Sequence, residues 1–193
     1  ILPGMGADST LFPKEYFAKL DNTIFAEWPE YEGEISLHEV AEKIIKQHKI
    51  NDQTVIGGAS LGGMVAIEIA KIAKIKKIIL IGSATNPQYI NPILQKLSNL
   101  SEITPIKIIQ LFAGKLSLHK ESALLTMFEK SDDKFIKAMC KALFKWEGLG
   151  DYDCAIFHIH GKKDKVIFPP KKNVEIIPDG GHLISMTHGN KVA

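Results

Sequence analysis

Along the first half of the chain, compact apolar runs alternate with stretches in which apolar positions recur every three or four residues. The runs NTIFAEW (22–28), QTVIGG (53–58) and KKIILIGSA (76–84) have strand length, and nearly continuous apolar strands belong in a sheet covered on both faces. Between the first two, Ser36-Leu37-His38-Glu39 has the form of a capping box, and Val40, Ile44 and Ile45 follow at helical spacing. LGGMVAIEIAKIAK (61–74) predicts a second helix. Strand, helix, strand, helix in this order predicts an α/β fold, with a mainly parallel sheet flanked by helices.

From about 87 to 150 the pattern changes to helix after helix. Thr104-Pro105 reads as an N-cap followed by proline in the first turn, and Gly114 as the stop of that helix. Ile136, Met139, Leu143 and Trp146 fall on one helical face, and strand-like runs return at CAIFHIHG (154–161) and NVEIIP (173–178). A helical block inside an alternating pattern is most simply an excursion from the sheet. The expectation is one domain, with core segments 1–86 and 151–193 and a helical insertion at 87–150.

Composition narrows the possible partners. With 193 residues, 45% hydrophobic and 24% charged, the chain can bury one sizeable core. Its net charge is only +2, with lysines spread along the chain, which argues against nucleic acid or an anionic membrane as partner. No apolar run is long enough to span a bilayer. The two cysteines, Cys140 and Cys154, form no CxxC or Cys/His cluster, so no metal site is expected and a reducing, cytoplasmic setting fits.

Gly58-Ala59-Ser60-Leu61-Gly62 satisfies G-x-S-x-G, between a predicted strand and a predicted helix. A sharp strand-to-helix turn strains the serine backbone, and neighbours without Cβ atoms let it close with Oγ exposed. The competing reading is a glycine-rich turn in which Ser60 only caps the helix. P-loop and dinucleotide readings fail, because no Lys-Ser/Thr follows and position 60 is not glycine.

A serine hydroxyl becomes a nucleophile when a base, itself held by a third group, takes its proton. The chain offers an acid and then a histidine, each after a predicted strand: Asp164 after AIFHIHG, and His182 after VEIIP. Asp151 and Asp153 precede a strand and should face away, while ATNPQ after the strand ending near Ser83 has no carboxylate. His188 is the nearest rival to His182, which two glycines precede. His158 and His160 share one strand face and invite a metal reading, but no third ligand stands at a recognisable spacing.

Acyl transfer also needs donors for the developing oxyanion. The N–H of Leu61 is one candidate, and ILPGMGADSTLF (1–12) supplies a loop in which Gly4 and Gly6 flank Met5. LPGMGAD, GASLGGM, HIHGKKDKVI and PDGGH, in this order, resemble the α/β-hydrolase superfamily, in particular its single-domain esterases with a helical cap. The resemblance covers nearly the whole chain. It implies Ser60 as nucleophile, Asp164 as acid, His182 as base, and Met5 and Leu61 N–H groups as oxyanion hole, with Gly58 and Gly62 as elbow glycines and the 87–150 block as cap. Pro3 departs from the histidine many members carry, the usual first strands are missing, and little chain follows His182. The expected activity is a carboxylesterase that uses no cofactor and cleaves a small-molecule ester with small to medium acyl groups. Thioesterase, amidase and carbon–carbon hydrolase activities, or a non-catalytic ligand-binding role, stand as alternatives. Phe112, Met127, Phe128, Met139, Phe144 and Trp146 are candidates for an acyl pocket, although helical spacing favours core for each.

Overall fold

The computed structural model describes residues 1–92 and 118–193; Thr104-Pro105, Phe112 and Gly114 lie outside them. Four parallel strands, β1 (Ile56–Ala59), β2 (Lys77–Ile81), β3 (Ala155–Gly161) and β4 (Glu175–Ile177), lie side by side in that order. Being parallel, they bring the loops that follow them to the same edge of the sheet. Leu2 extends the pairing beyond β1, donating to Gly57 O (2.9 Å) and accepting from Ala59 N (3.0 Å).

The predicted strand at 22–28 does not join the sheet. Its backbone meets Ile1, which donates to Ile24 O (2.7 Å) and accepts from Ala26 N (2.9 Å). So short a contact adds no ladder, and the segment is irregular.

Helix α1 (Lys14–Phe17) is a single turn. Helix α2 (Leu37–His48) begins as predicted, with Ser36 Oγ accepting from Glu39 N (3.2 Å). The Glu39 carboxylate reaches Ile35 N (2.6 Å), so the reciprocal bond of the capping box falls one residue earlier than its usual partner. Helix α3 (Leu61–Ala73) is buried continuously from Leu61 to Ala70, as its nearly uniform apolar sequence requires. Ile67 and Ile69, wholly buried, each contribute roughly 1.5–3 kcal/mol of transfer free energy. Glu68 is the charged exception, and it is matched by Trp146 Nε1 (2.9 Å), Lys71 Nζ (2.8 Å) and His38 Nδ1 (3.4 Å).

Between β2 and β3 come helices α4 (Leu118–Lys130) and α5 (Asp133–Leu143). Asp132 caps α5, accepting from Lys134 N (2.7 Å) and Phe135 N (3.3 Å). Trp146, predicted on the same face as Ile136 and Met139, lies past the helix end yet is buried through its bond to Glu68. The chain closes with α6 (Ile184–Thr187) and α7 (Gly189–Val192).

The period of two in the strands divides the core. Ile78 and Leu80 join a cluster with residues of α2, α3 and α5, whereas Ile81 joins Phe12, Phe17, Leu124, Phe128 and Ile184. Among the described residues no helix is long and apolar enough to cross a membrane.

Candidate active site

Ser60 sits between β1 and α3 with φ 50° and ψ −119°, a strained conformation for a residue with a side chain. The flanking glycines are required by contact. A β-carbon on Gly58 would stand 2.3 Å from Gly62 C, and one on Gly62 2.3 Å from Pro3 O. The turn is held by Ser60 N donating to Ile81 O (3.0 Å) and by Ser83 Oγ donating to Ser60 O (2.7 Å). Oγ is left to face the loop after β4.

On that loop His182 places Nε2 3.0 Å from Ser60 Oγ and Nδ1 2.7 Å from Asp164 Oδ2. The predicted serine, acid and histidine are thus brought together, across 122 residues between Ser60 and His182. Asp164 accepts on both oxygens. Oδ1 takes the N–H groups of Val166 (2.8 Å) and Ile167 (3.0 Å), and Oδ2 faces His182 and also His160 Nε2 (3.0 Å). Burial by itself would push this carboxyl's pKa up. The His182 charge and the donors from His160, His182 and Ile167 outweigh it and hold the group well below the usual carboxylate range.

Gly4 packs against Ser60: a β-carbon there would stand 3.5 Å from Ser60 Cβ. The Gly4 carbonyl accepts from Trp28 Nε1 (3.0 Å) and Ala7 N (3.2 Å). In a trans peptide the C=O and the next N–H point in opposite directions, so the Met5 N–H is turned away from Trp28. Among the described residues neither Met5 N–H nor Leu61 N–H has an acceptor. Two N–H groups without an acceptor among the described residues thus lie on segments adjoining the hydroxyl–imidazole–carboxylate run.

No protein-family model and no curated protein sequence matches the chain. Solved structures do. A hydrolase from Oleispira antarctica superposes with a TM-score of 0.77 at 19% identity, over 97% of this chain and 85% of that one. A thermophilic esterase from Thermogutta terrifontis gives a TM-score of 0.72 at 16% identity, covering 99% and 84% of the two chains. An enol-lactonase from Burkholderia xenovorans gives 0.69 at 14%, covering 98% and 86%. The chain has the α/β-hydrolase fold.

Within this α/β-hydrolase fold, a cavity beside Ser60 and His182 is bordered by Met5, Leu11, Leu124, Phe128 and Leu183, apolar side chains without charge. Of the residues in the 87–150 block singled out from sequence, Phe128 reaches this cavity. Met127, Met139 and Trp146 are buried in the core clusters, and Phe144 packs against one of them. Leu124 and Trp28 carried no distinguishing sequence signal, because their roles depend on packing between distant segments. Trp28 also packs against Phe135 of α5, with ring centroids 5.2 Å apart and the rings tilted by 46°. His160 had been visible only as half of an H-x-H pair.

Proposed function

We propose that the chain is a serine hydrolase acting on carboxylic esters, a carboxylesterase for small to medium acyl groups. The observation that carries this reading is the continuous run from Ser60 Oγ through both ring nitrogens of His182 to Asp164, with contacts of 3.0 and 2.7 Å. His182 Nε2 takes the hydroxyl proton as Oγ bonds to the ester carbonyl carbon, and Asp164 steadies the imidazolium through Nδ1–H. The carbonyl oxygen, now negative, accepts from the N–H groups of Met5 and Leu61. Collapse breaks the bond to the alcohol oxygen, which leaves with the proton from His182. Water then gives a proton to His182 and its oxygen attacks the acyl-enzyme, releasing the acid and restoring Ser60.

Several observations support the finer points. The apolar cavity lining suits an uncharged acyl group. Leu124 and Phe128, both on α4, border the site, which supports reading the 87–150 block as a cap. An esterase and an enol-lactonase among the similar structures favour an ester bond.

The test is labelling with a fluorophosphonate, peptide mass mapping, and hydrolysis of short p-nitrophenyl esters. The expected outcome is a single adduct at Ser60, with hydrolysis abolished in Ser60→Ala. Wild-type turnover in Ser60→Ala would overturn the reading, and failure to label Ser60 would favour a ligand-binding member of the fold. Parallel assays with acyl thioesters and amides define the bond preferred.

A further inference from the structure

The proposed reaction uses one histidine, yet two more lie buried directly behind its acid. His160 is completely buried, and its Nε2 faces two oxygens at once, Asp164 Oδ2 at 3.0 Å and the Ile167 carbonyl at 2.9 Å. A ring nitrogen between a carboxylate and a carbonyl carries the proton, since a bare lone pair there would be repelled by both. In the neutral ring Nδ1 is then an acceptor. Its partner is His158 Nε2, 3.2 Å away, also buried. Burial first, and then His160, lower the pKa of His158 to about 4, against the opposing effect of the Ser83 backbone, so at neutral pH His158 is uncharged and adds no positive charge behind His160. Strand geometry makes the pair possible, because residues two apart on β3 point to one face.

We propose that His160, backed by His158, is a positioning residue for this site: it donates to the same Asp164 oxygen that receives His182 Nδ1–H. The inference rests on the serine hydrolase reading above. Two consequences follow from the shared oxygen. Backbone donors on Oδ1 and two imidazoles on Oδ2 leave the carboxylate no freedom to turn, so His182 is held in line with Ser60. His160 also withdraws negative charge from Oδ2, which limits how strongly Asp164 favours the protonated form of His182. The bond from His160 to the Ile167 carbonyl ties the same ring to the loop that carries Asp164.

The test compares His160→Leu, which removes the donor, with His160→Gln, whose amide nitrogen can reach the position of Nε2. Ester hydrolysis is measured per fluorophosphonate-labelled site from pH 5 to 9, and the His182 ring is titrated by NMR without substrate. His160→Leu is expected to lose roughly 10- to 100-fold in kcat/KM, because a displacement of about 1 Å at the reacting groups can cost on the order of 10²-fold. With the donor gone, Asp164 favours the His182 cation more, so the acidic limb and the NMR titration are both expected to move to higher pH. His160→Gln is expected to recover most of both. If Leu and Gln behave alike, or if His160→Leu keeps the wild-type rate and limb, His160 only fills space and the proposal falls. Should His160→Leu not fold, long-range proton–nitrogen spectra of wild-type protein labelled in histidine decide. The Nε2–H tautomer at His160 is expected, and the Nδ1–H tautomer would overturn the proposal. These spectra need no turnover. An unlabelled Ser60 with the expected His160 tautomer would therefore sink the hydrolase reading alone, and a labelled Ser60 with the other tautomer would sink the positioning role alone.

Discussion

Two hydroxyl–imidazole–carboxylate runs occur within the last 30 residues and their contacts, and they differ in everything except composition. In one, Ser60, His182 and Asp164 meet at 3.0 and 2.7 Å. In the other, Thr187 Oγ1 lies 2.8 Å from His188 Nδ1, and His188 Nε2 lies 3.1 Å from Asp179. The Asp164 and His182 side chains are 0% and 3% exposed, whereas Asp179 is 64% exposed. Water screens the outer carboxylate and leaves it a weak partner, while the inner one is held by protein donors alone. The hydroxyls differ as well. Thr187 Oγ1 donates its proton to Leu183 O at 2.9 Å inside a helical turn, so His188 finds an acceptor there, not a proton to take. The Ser60 hydroxyl stands on a strained turn beside two N–H groups with no acceptor among the described residues. On the proposed reading, contact among three groups is not enough: burial, an available proton and a place for the oxyanion are what set the inner run apart.

The largest effect expected from this contrast is on the imidazoles and their acids. His182→Ala should lower kcat/KM for p-nitrophenyl acetate by at least about 10³-fold, and Asp164→Asn by roughly 10³- to 10⁴-fold. His188→Ala and Asp179→Asn should stay within about threefold of wild type, with no measurable change in melting temperature for the exposed aspartate. Comparable losses in both pairs would break the comparison.

Next in size is the Gly4–Met5 loop, proposed to bind the oxyanion, for which the outer run has no counterpart. Trp28→Phe keeps the ring against Phe135 but removes the donor to Gly4 O, and should lower kcat about tenfold with KM little changed. A change confined to KM would mean that the indole shapes binding and not the peptide.

A separate effect, read on folding and not on turnover, is on stability against acid. The pKa of His158 drops from about 6.5 in the unfolded chain to about 4 when folded. Between those values the unfolded state binds the extra proton. The stabilising contribution is thus complete above about pH 6.5 and is lost as the pH falls towards 4, by up to about 3 kcal/mol. Asp164, also depressed, adds a further loss that begins as the pH falls through the ordinary carboxylate range and continues below it. Urea melts at pH 7 and 4.5 should show a drop in wild type that is shallower in His158→Leu. Equal drops would mean that residue 158 does not govern this window.

Much of this was legible before any coordinates. The elbow could be read because its constraint is local: glycines at 58 and 62 answer contacts of 2.3 Å made by the turn and by the chain lying against it. Helices α2 and α3 were legible for the same reason, through a cap and a helical period. The segment 22–28 misled, since apolar content alone does not supply a neighbouring strand to pair with. His160 and Trp28 stayed hidden because their partners lie on other segments or on the far side of a loop.

By itself, the sequence determined β1 to β4 with the helices α2 and α3 between and beside them, the strained serine turn, and an acid and a histidine each following a strand. These depend on neighbours along the chain and on the periods of two and 3.6. Only the tertiary structure decided which histidine meets Ser60, which side chains hold Asp164, and what fixes the Gly4–Met5 peptide. Those depend on register and burial: parallel strands bring the distant loops to one edge, and exclusion of water separates the inner pair from its exposed likeness.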